Sequence, residues 1–198
     1  MSEEAVELAD SRCRFLVRLD GAPPPAVAAV LAELAAADRL AGLIAPPTPA
    51  VVSLARELPT ALITPAGEPG GDGTLVDARD APVAAVVEGR RGDPAGILVA
   101  AVATSRHAAM EAGEAGADAL LFTGDAAAVR DCVAWWSELF VLPVAAPAAA
   151  DEVEALVAAG ADFVLVGASE LIETAAPVAA LLDRLAAAEA ERPQNPPA

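Results

Sequence analysis

The feature of this chain that most constrains its fold is a repeated unit in which an alanine-rich stretch leads through Ala-Gly-Ala-Asp into a short apolar run. The unit occupies residues 115–122 and again 159–166, and a weaker copy, Gly71-Asp72-Gly73, precedes Thr74. A glycine at the end of a helix readily adopts the left-handed conformation, and a short apolar run is typical of a strand buried on both faces. The repeat therefore predicts helices that alternate with buried, parallel strands.

The same alternation extends along the whole chain. We predict eight strands, at residues 14–19, 40–44, 60–63, 74–76, 97–102, 119–122, 142–145 and 163–166, and helices at residues 25–37, 48–58, 82–89, 105–115, 126–139, 151–159 and 175–190. Residues 65–73 are rich in glycine and proline where the pattern would place a helix. We interpret them as a loop that replaces a shortened or missing helix.

Repetition of one strand–helix unit favours a closed barrel over a doubly wound sheet. The prediction is an α/β fold, a compact (βα)8 TIM-type barrel, because the 198 residues of the chain lie at the lower end, about 200, of the lengths that such barrels have. Residues 1–190 are predicted to form this single domain, and residues 191–198 a disordered, Pro-rich tail.

Charge and composition exclude several classes of function. The formal net charge of −17 argues against nucleic acid as a partner, because phosphate binding needs clustered basic groups. All 12 basic residues are arginine, and the absence of lysine excludes Schiff-base aldolases, pyridoxal-phosphate enzymes and Walker phosphate loops. His107 is the only histidine, so histidine-based metal clusters are excluded as well.

The sequence also predicts location and thiol state. No apolar run reaches the roughly 18 residues of a membrane helix, and the first four residues, Met-Ser-Glu-Glu, are acidic where a signal peptide would be basic. We therefore expect a cytoplasmic protein with no membrane partner, in which Cys13 and Cys132 are reduced core residues. Trp135, Trp136 and Phe140 follow helical spacing, which favours the core or an interface, and assembly into a homo-oligomer stays open.

The best candidate for a binding site follows the last predicted strand, at Gly167, Ala168 and Ser169. In a barrel the ligand binds at the carboxyl ends of the strands, and phosphate commonly binds after the seventh and eighth. A glycine lets backbone N–H groups approach a phosphate, and the start of the next helix adds a favourable dipole. A phosphorylated small molecule is therefore the expected partner. The alternative is an ordinary turn of small residues, beside which Glu170 would repel an anion.

A second candidate site consists of Asp77 and Asp80, which lie on one short loop. Together they could hold Mg²⁺, a cation that prefers carboxylate oxygens. The alternative is a solvated acidic turn in which Asp80 caps the following helix. Other polar residues near predicted strand ends are Thr104, Ser105, Thr123 and His107, the last interpreted as a surface residue without an evident catalytic partner.

Several of these segments resemble the thiamine phosphate synthase family. Residues 72–80, Asp-Gly-Thr-Leu-Val-Asp-Ala-Arg-Asp, resemble that family's Asp-Gly-Val-His-Leu-Gly-Gln-Glu-Asp, and residues 105–122 look like its unit of His-Ser, helix, Ala-Gly-Ala-Asp and strand. Residues 142–144 and 152–167 look like its final βαβ unit, so that the similarity covers most of residues 60–185.

The resemblance implies a barrel of thiamine biosynthesis that joins a pyrimidine diphosphate to a thiazole phosphate and releases pyrophosphate, with Mg²⁺ neutralising the leaving group. It also implies Asp80 as a magnesium ligand, and Gly167, Ala168 and Ser169 as the backbone cradle of the thiazole phosphate.

The chain departs from the family pattern where that pattern carries charge. The family's Gln-x-Arg-x-Lys cluster corresponds to residues 43–47, Leu-Ile-Ala-Pro-Pro, and its Asn-Asp pair falls at Thr64-Pro65. Its lysine-bearing loop is deleted around Gly124-Asp125. Because the loss of a single oxyanion-type donor costs about 10²–10³ in rate, the loss of several cations argues against the family reaction by its usual mechanism.

Three functions therefore stay open. The first is a divergent synthase-like barrel that binds a phosphorylated thiazole or pyrimidine. The second is a catalytically degenerate barrel that acts as a binding or protein-partner module. The third is a different phosphate-handling enzyme, such as an isomerase that uses Asp77 or Asp80 as a base.

Overall fold

Eight short apolar segments pair in parallel and close into a barrel in the order of the chain, with β8 against β1. The computed structural model describes residues 12–175 and 177–192. The strands are β1 (Arg14–Arg18), β2 (Leu40–Ile44), β3 (Ala61–Pro65), β4 (Gly73–Asp77), β5 (Ile97–Ala103), β6 (Ala119–Thr123), β7 (Val144–Pro147) and β8 (Phe163–Gly167). The predicted (βα)8 TIM-type barrel is confirmed.

Helices cover the outside of the barrel. They are α1 (Pro25–Ala36), α2 (Pro49–Glu57), α3 (Pro82–Gly92), α4 (Arg106–Glu114), α5 (Ala126–Leu139), α6 (Val153–Ala158), α7 (Ala168–Ala175) and α8 (Val178–Ala190). Residues 66–72 connect β3 to β4 without a helix, which confirms the predicted loop. Among the described helices, none is both long and apolar enough to cross a membrane.

The end of the chain differs from the prediction. Instead of one helix from residue 175, two helices follow β8, and α7 begins directly after Gly167. Pro177, which cannot continue a helix because it lacks a backbone N–H, precedes α8. Residues 193–198, most of the predicted tail, lie outside the described residues, as do residues 1–11.

Alternating side chains divide the strands between two apolar cores. Inward-facing residues such as Leu16, Ile63 and Leu165 fill the lumen of the barrel, and outward-facing residues such as Val17 and Val164 pack under the helices in a larger core. This period of two residues places every second residue of a strand on the same face. It therefore determines which strand-end side chains point toward the axis at the open end of the barrel.

The aspartates of the repeated unit join neighbouring strands at the amino ends of the strands. The carboxylates of Asp72, Asp118 and Asp162 accept the backbone N–H groups of Leu62, Leu98 and Val144 at 2.9, 2.8 and 2.9 Å. Each aspartate N–H also donates to the carbonyl oxygen of the same partner residue. The glycines before Asp118 and Asp162 have φ of 102° and 98°, a left-handed conformation that favours glycine. Each of these aspartates thus holds two neighbouring strands together, and we call it an aspartate clamp. The clamps lie at the amino ends of the strands, the end of the barrel opposite the expected ligand.

Candidate functional site

A cavity of about 580 Å³ opens at the carboxyl ends of β6, β7, β8 and β1, the face where barrels bind their ligands. We call it the mouth cavity. Backbone and small side chains form much of its wall, and its charged lining residues are Arg18, Asp20, Glu152 and Glu170. The predicted phosphate residues Gly167, Ala168 and Ser169 also line this cavity.

Arg18 is the cation of the mouth cavity, and our sequence analysis did not select it. It ends β1 and pairs in register with Gly167 of β8. It follows the lumen residue Leu16 at a spacing of two, so both belong to the same face of the strand. Its side chain is exposed, and within residues 12–175 and 177–192 no hydrogen bond or ion pair engages it. A guanidinium in this position can bind a phosphate with two parallel hydrogen bonds.

The Gly167–Ser169 segment is the end of β8 and the start of α7, and not the ordinary turn that was the alternative to a phosphate site. Gly167 ends β8, and Ala168 is the first residue of α7, so the first N–H groups of α7 have no partner within the helix. The carboxylate of Glu170 lies over Gly167, where an added Cβ would clash with its Oε2 atom. The hydroxyl of Ser169 donates to Oε2 of Glu170 at 3.0 Å. The chain thus places its own carboxylate at the position predicted for an anion.

The balance of charge in the mouth cavity is negative. Three carboxylates, those of Asp20, Glu152 and Glu170, line it together with the one guanidinium of Arg18. Oε2 of Glu152 accepts the backbone N–H of Ala149 at 3.0 Å, which fixes this carboxylate at the start of the chain segment leading into α6. This net negative charge disfavours a bound anion, and it disfavours a diphosphate more strongly than a monophosphate, because each added negative charge is repelled.

Asp77 and Asp80 lie on a different side of the barrel from Gly167. They follow β4, which is four strands from β8 in the closed sheet. The carboxylate of Asp77 is engaged by Arg79, whose Nε donates to Oδ1 at 2.8 Å. Hydrogen bonds from the Arg79 side chain and backbone lower the pKa of Asp77 to about 2. A carboxylate with so low a pKa is a weak general base, which argues against Asp77 as the base of the isomerase alternative.

The two aspartates do not by themselves fit a magnesium site. The carboxylate of Asp77 already pairs with Arg79, and Asp80 is exposed. Asp80 does not cap a helix either, since α3 begins after Ala81 without a side-chain cap. Across the described part of the chain, no three His, Cys, Asp or Glu residues cluster in a way that could hold a metal ion. Magnesium takes six oxygen ligands, so an ion at this loop would need most of them from elsewhere.

Of the remaining polar candidates, Ser105 and Thr123 have structural roles, and His107 is a surface residue. The hydroxyl of Ser105 caps α4 by accepting the N–H of Ala108 at 3.3 Å, and the hydroxyl of Thr123 donates to the carbonyl oxygen of Val102 at 3.0 Å. His107 is exposed on α4, with Nε2 at 3.4 Å from a carboxylate oxygen of Glu111. None of these three residues lines the mouth cavity.

Known proteins resemble this chain in its barrel fold and, over part of its length, in sequence. No family model matches the chain. Over 98 residues it is 40% identical to the thiamine-phosphate synthase of Erythrobacter litoralis (strain HTCC2594), in an alignment that covers 42% of this chain and 46% of that protein. The match thus spans less than half of the length of the curated relative.

Solved structures resemble the chain over nearly its whole length. The thiamine phosphate pyrophosphorylase from Pyrococcus furiosus superposes with a TM-score of 0.67 at 16% identity, covering 90% of this chain and 97% of that one. The N-acetylmannosamine-6-phosphate 2-epimerase from Clostridium perfringens gives a TM-score of 0.58 at 12% identity, covering 86% and 93%. At such identities the likeness concerns the barrel fold.

Proposed function

We propose that this chain, which is 40% identical over 98 residues to a thiamine-phosphate synthase and has the barrel fold of a thiamine phosphate pyrophosphorylase, binds a phosphorylated thiazole or pyrimidine in the mouth cavity. The observation that carries the proposal is the position of Arg18. This arginine is free of partners among the described residues, and it ends β1 beside Gly167 at the start of α7. In this proposal the phosphate lies between the guanidinium and the first N–H groups of α7.

The proposal requires Glu170 to move when the ligand binds. Its carboxylate lies over Gly167, and two anions in contact repel each other. The Glu170 side chain is exposed and is held there by one hydrogen bond from Ser169, so a rotation into solvent costs little. Arg18 then attracts the phosphate, and the exposed Glu170 carboxylate is hydrated at the rim.

We propose binding without the pyrophosphate-releasing reaction of the synthases. Stabilising a departing pyrophosphate requires clustered cations. The carboxyl end of β2 carries Leu43, Ile44 and Ala45 instead, all of them buried and uncharged. In the mouth cavity carboxylates outnumber the single arginine. Activity in thiamine biosynthesis is thus a narrower hypothesis than ligand binding, and an assay for released pyrophosphate distinguishes the two.

The test of binding is a thermal-shift and calorimetric titration with thiamine phosphate, thiazole phosphate, the pyrimidine diphosphate and pyrophosphate, each with and without Mg²⁺. A ligand at one hundred times its Kd adds about 2.7 kcal/mol, which raises the Tm of a chain this long by about 5–10 °C. We expect the monophosphates to give the larger shifts. Absence of a shift with all four ligands would refute the proposal.

The residue-level test is Arg18→Gln with Arg14→Gln as its matched control. Arg14 begins the same strand and is also exposed, but it lies at the amino end of the barrel. We expect Arg18→Gln to weaken phosphate binding by about tenfold or more, because a charge-assisted hydrogen bond contributes about 1.5–3 kcal/mol. Arg14→Gln should leave the Kd unchanged. Equal effects of the two variants would place the ligand elsewhere.

A further inference from the structure

A second, smaller cavity adjoins the mouth cavity between α5 and α6, and we call it the side pocket. Its volume is about 240 Å³, and Ala126, Pro147 and Glu152 line both it and the mouth cavity. Arg18 lines the mouth cavity together with these three residues. A ligand whose phosphate lies beside Arg18 can therefore extend its organic part into the side pocket.

The wall of the side pocket is mostly apolar. Small and aliphatic side chains from two helices form most of it, namely Ala126 and Ala127 of α5 and Ala155 and Leu156 of α6. The charged residues that line it are Arg130 and Glu152. Sites for small organic molecules have this composition, in which apolar side chains surround the ligand and a few polar groups fix its orientation.

Arg130 and Glu152 carry opposite charges but do not pair with each other. Arg130 is exposed on α5, and no hydrogen bond or ion pair engages it within residues 12–175 and 177–192. Glu152 is half-buried, and its Oε2 atom accepts the N–H of Ala149 at 3.0 Å, whereas its Oε1 atom has no partner in the described part of the chain. The side pocket thus contains a hydrogen-bond donor and an acceptor that the protein itself leaves unused.

A ring that carries a donor next to an acceptor can satisfy both groups at once. In an amino-substituted pyrimidine, the exocyclic amine can donate to a carboxylate while the adjacent ring nitrogen accepts from a guanidinium. A thiazole ring has a nitrogen acceptor but no N–H donor, so it would leave the carboxylate of Glu152 without a partner. A site built to accept an N–H discriminates against a ligand that lacks one.

We infer that the side pocket selects the organic part of the ligand, and that the ligand class is the monophosphate of an amino-substituted pyrimidine rather than of a thiazole. The inference rests on the proposed function, because it places the phosphate beside Arg18. The exocyclic amine donates to Oε1 of Glu152, the ring nitrogen accepts from Arg130, and the ring packs against Leu156. Arg130 and Glu152 determine specificity, whereas Arg18 binds the phosphate.

The test is isothermal calorimetry with two matched ligands, an aminopyrimidine monophosphate and the same molecule with hydrogen in place of the amine. We expect the amino ligand to bind about tenfold more tightly, because the deaminated ligand lacks a hydrogen bond to a charged group. Thiazole phosphate should bind like the deaminated ligand. Equal Kd values for the amino and deaminated ligands would overturn the inference but not the proposed phosphate site. Absence of binding by all three would refute both.

Variants of the two charged residues test where this selection occurs. Glu152→Gln keeps one oxygen for the N–H of Ala149 but replaces the free oxygen with an NH₂ group, which cannot accept the amine. The preference for the amino ligand should then fall to about twofold or less. Arg130→Gln should weaken both pyrimidines about tenfold, because the ring nitrogen accepts in both. Arg56→Gln, which changes an exposed arginine of α2, is the matched control and should alter neither Kd.

Arg18→Gln separates the inference from the proposed function on which it rests. It should weaken both pyrimidines equally and leave the preference for the amine unchanged. In ¹⁵N NMR spectra of the full chain, the amides of residues 126–130 and 152–156 should shift differently with the two pyrimidines. A preference that persists in Glu152→Gln, or an effect of Arg130→Gln no larger than that of Arg56→Gln, would overturn the inference.

Discussion

At the scale of single residues, two opposed charges lie beside Gly167 in the mouth cavity. Arg18 and the Glu170 carboxylate both lie beside Gly167, one at the end of β1 and the other in the first turn of α7. A carboxylate in the first turn of a helix is stabilised by the helix dipole, and the same dipole would favour a bound phosphate. Glu170 therefore competes with the proposed ligand for one electrostatic position.

This competition predicts that Glu170→Gln tightens the binding of a phosphorylated ligand. Removing the charge abolishes the repulsion while the side chain keeps its size, and we expect the Kd to fall by about three- to tenfold, from an interaction of about 1 kcal/mol near the surface. Calorimetry with thiazole phosphate measures it. The control is Glu173→Gln, an exposed carboxylate on the same helix. A Kd unchanged by Glu170→Gln would show that the anion does not bind at Gly167.

The sequence revealed one half of this arrangement and concealed the other. The sequence predicts Gly167, Ala168 and Ser169 as a phosphate site because phosphate sites of barrels follow the last strands, and the three residues line the mouth cavity. The sequence also contains a signal for Arg18. It lies two residues after Leu16 at the end of the first strand, so the two side chains are on the same face of that strand. What the sequence could not show was that Arg18 stands beside Gly167, because this depends on the register of β1 with β8, which lie about 150 residues apart in the chain.

At the scale of helices and strands, local signals predicted most boundaries. The bounds of α5 agree with the prediction at both ends, since Asp125 caps the helix by accepting the N–H groups of Ala127 and Ala128. The helix α7 was missed because it is only 8 residues long and no capping side chain precedes it. Its stability comes from tertiary contacts, with Leu171 and Ala175 fully buried, and a local pattern does not encode such contacts.

The aspartate clamps lead to a prediction for stability at this scale. In Asp162→Ala the N–H of Val144 loses its acceptor, and we expect the free energy of unfolding to fall by about 1–3 kcal/mol. Asp162→Asn keeps an oxygen acceptor and should lose less. Urea denaturation measures both variants, with the exposed Asp151→Ala as the control. A loss in Asp162→Ala no larger than in Asp151→Ala would refute the clamp.

The clamp at Asp162 also has a pH dependence of definite sign. Burial raises the pKa of Asp162 in the folded protein, although the hydrogen bond from Val144 lowers it. The folded state therefore binds the proton of Asp162 more tightly than the unfolded state does. The contribution of Asp162 to the free energy of unfolding is greatest below the ordinary pKa of 3.8, and it declines as the pH rises from there through the higher pKa of the folded state. Asp162→Asn should remove this decline.

At the scale of the whole molecule, closure of the barrel depends on contacts between the two ends of the described chain. β1 pairs with β8 along five residues, and a carboxylate oxygen of Glu189 in α8 accepts the N–H of Cys13 at 2.7 Å and a guanidinium hydrogen of Arg39 at 2.6 Å. Arg39 and Cys13 are both buried. These hydrogen bonds link the residues just before β1 and β2 to α8. Exposing them to solvent therefore requires that β1 separate from its neighbours in the barrel.

The thiol of Cys13 should therefore report global unfolding. Burial, together with the charges of Asp162 and Glu189, raises its pKa to about 12, against a lowering effect of Arg192. At pH 8 a thiol of that pKa holds about a thousandfold less of the reactive thiolate than one with the ordinary value of 9.0. We expect iodoacetamide to modify Cys13 at a rate that follows the unfolded fraction as urea is added, measured by mass spectrometry.

The rate at which Cys132 is modified is the comparison for Cys13 within the same protein. Cys132 is a buried residue of α5, and local opening of that one helix can expose it. We expect Cys132 to react at lower urea concentrations than Cys13, since fraying of one helix costs less than separating β1 from β8. Reaction of Cys13 at the rate of a free peptide thiol, while circular dichroism still shows the native helices, would mean that the barrel opens at its β1–β8 seam without unfolding. In that case the proposed binding site, which lies between Arg18 of β1 and Gly167 of β8, would span the strand pair that separates. A bound ligand would then hold the two strands together and slow the modification of Cys13.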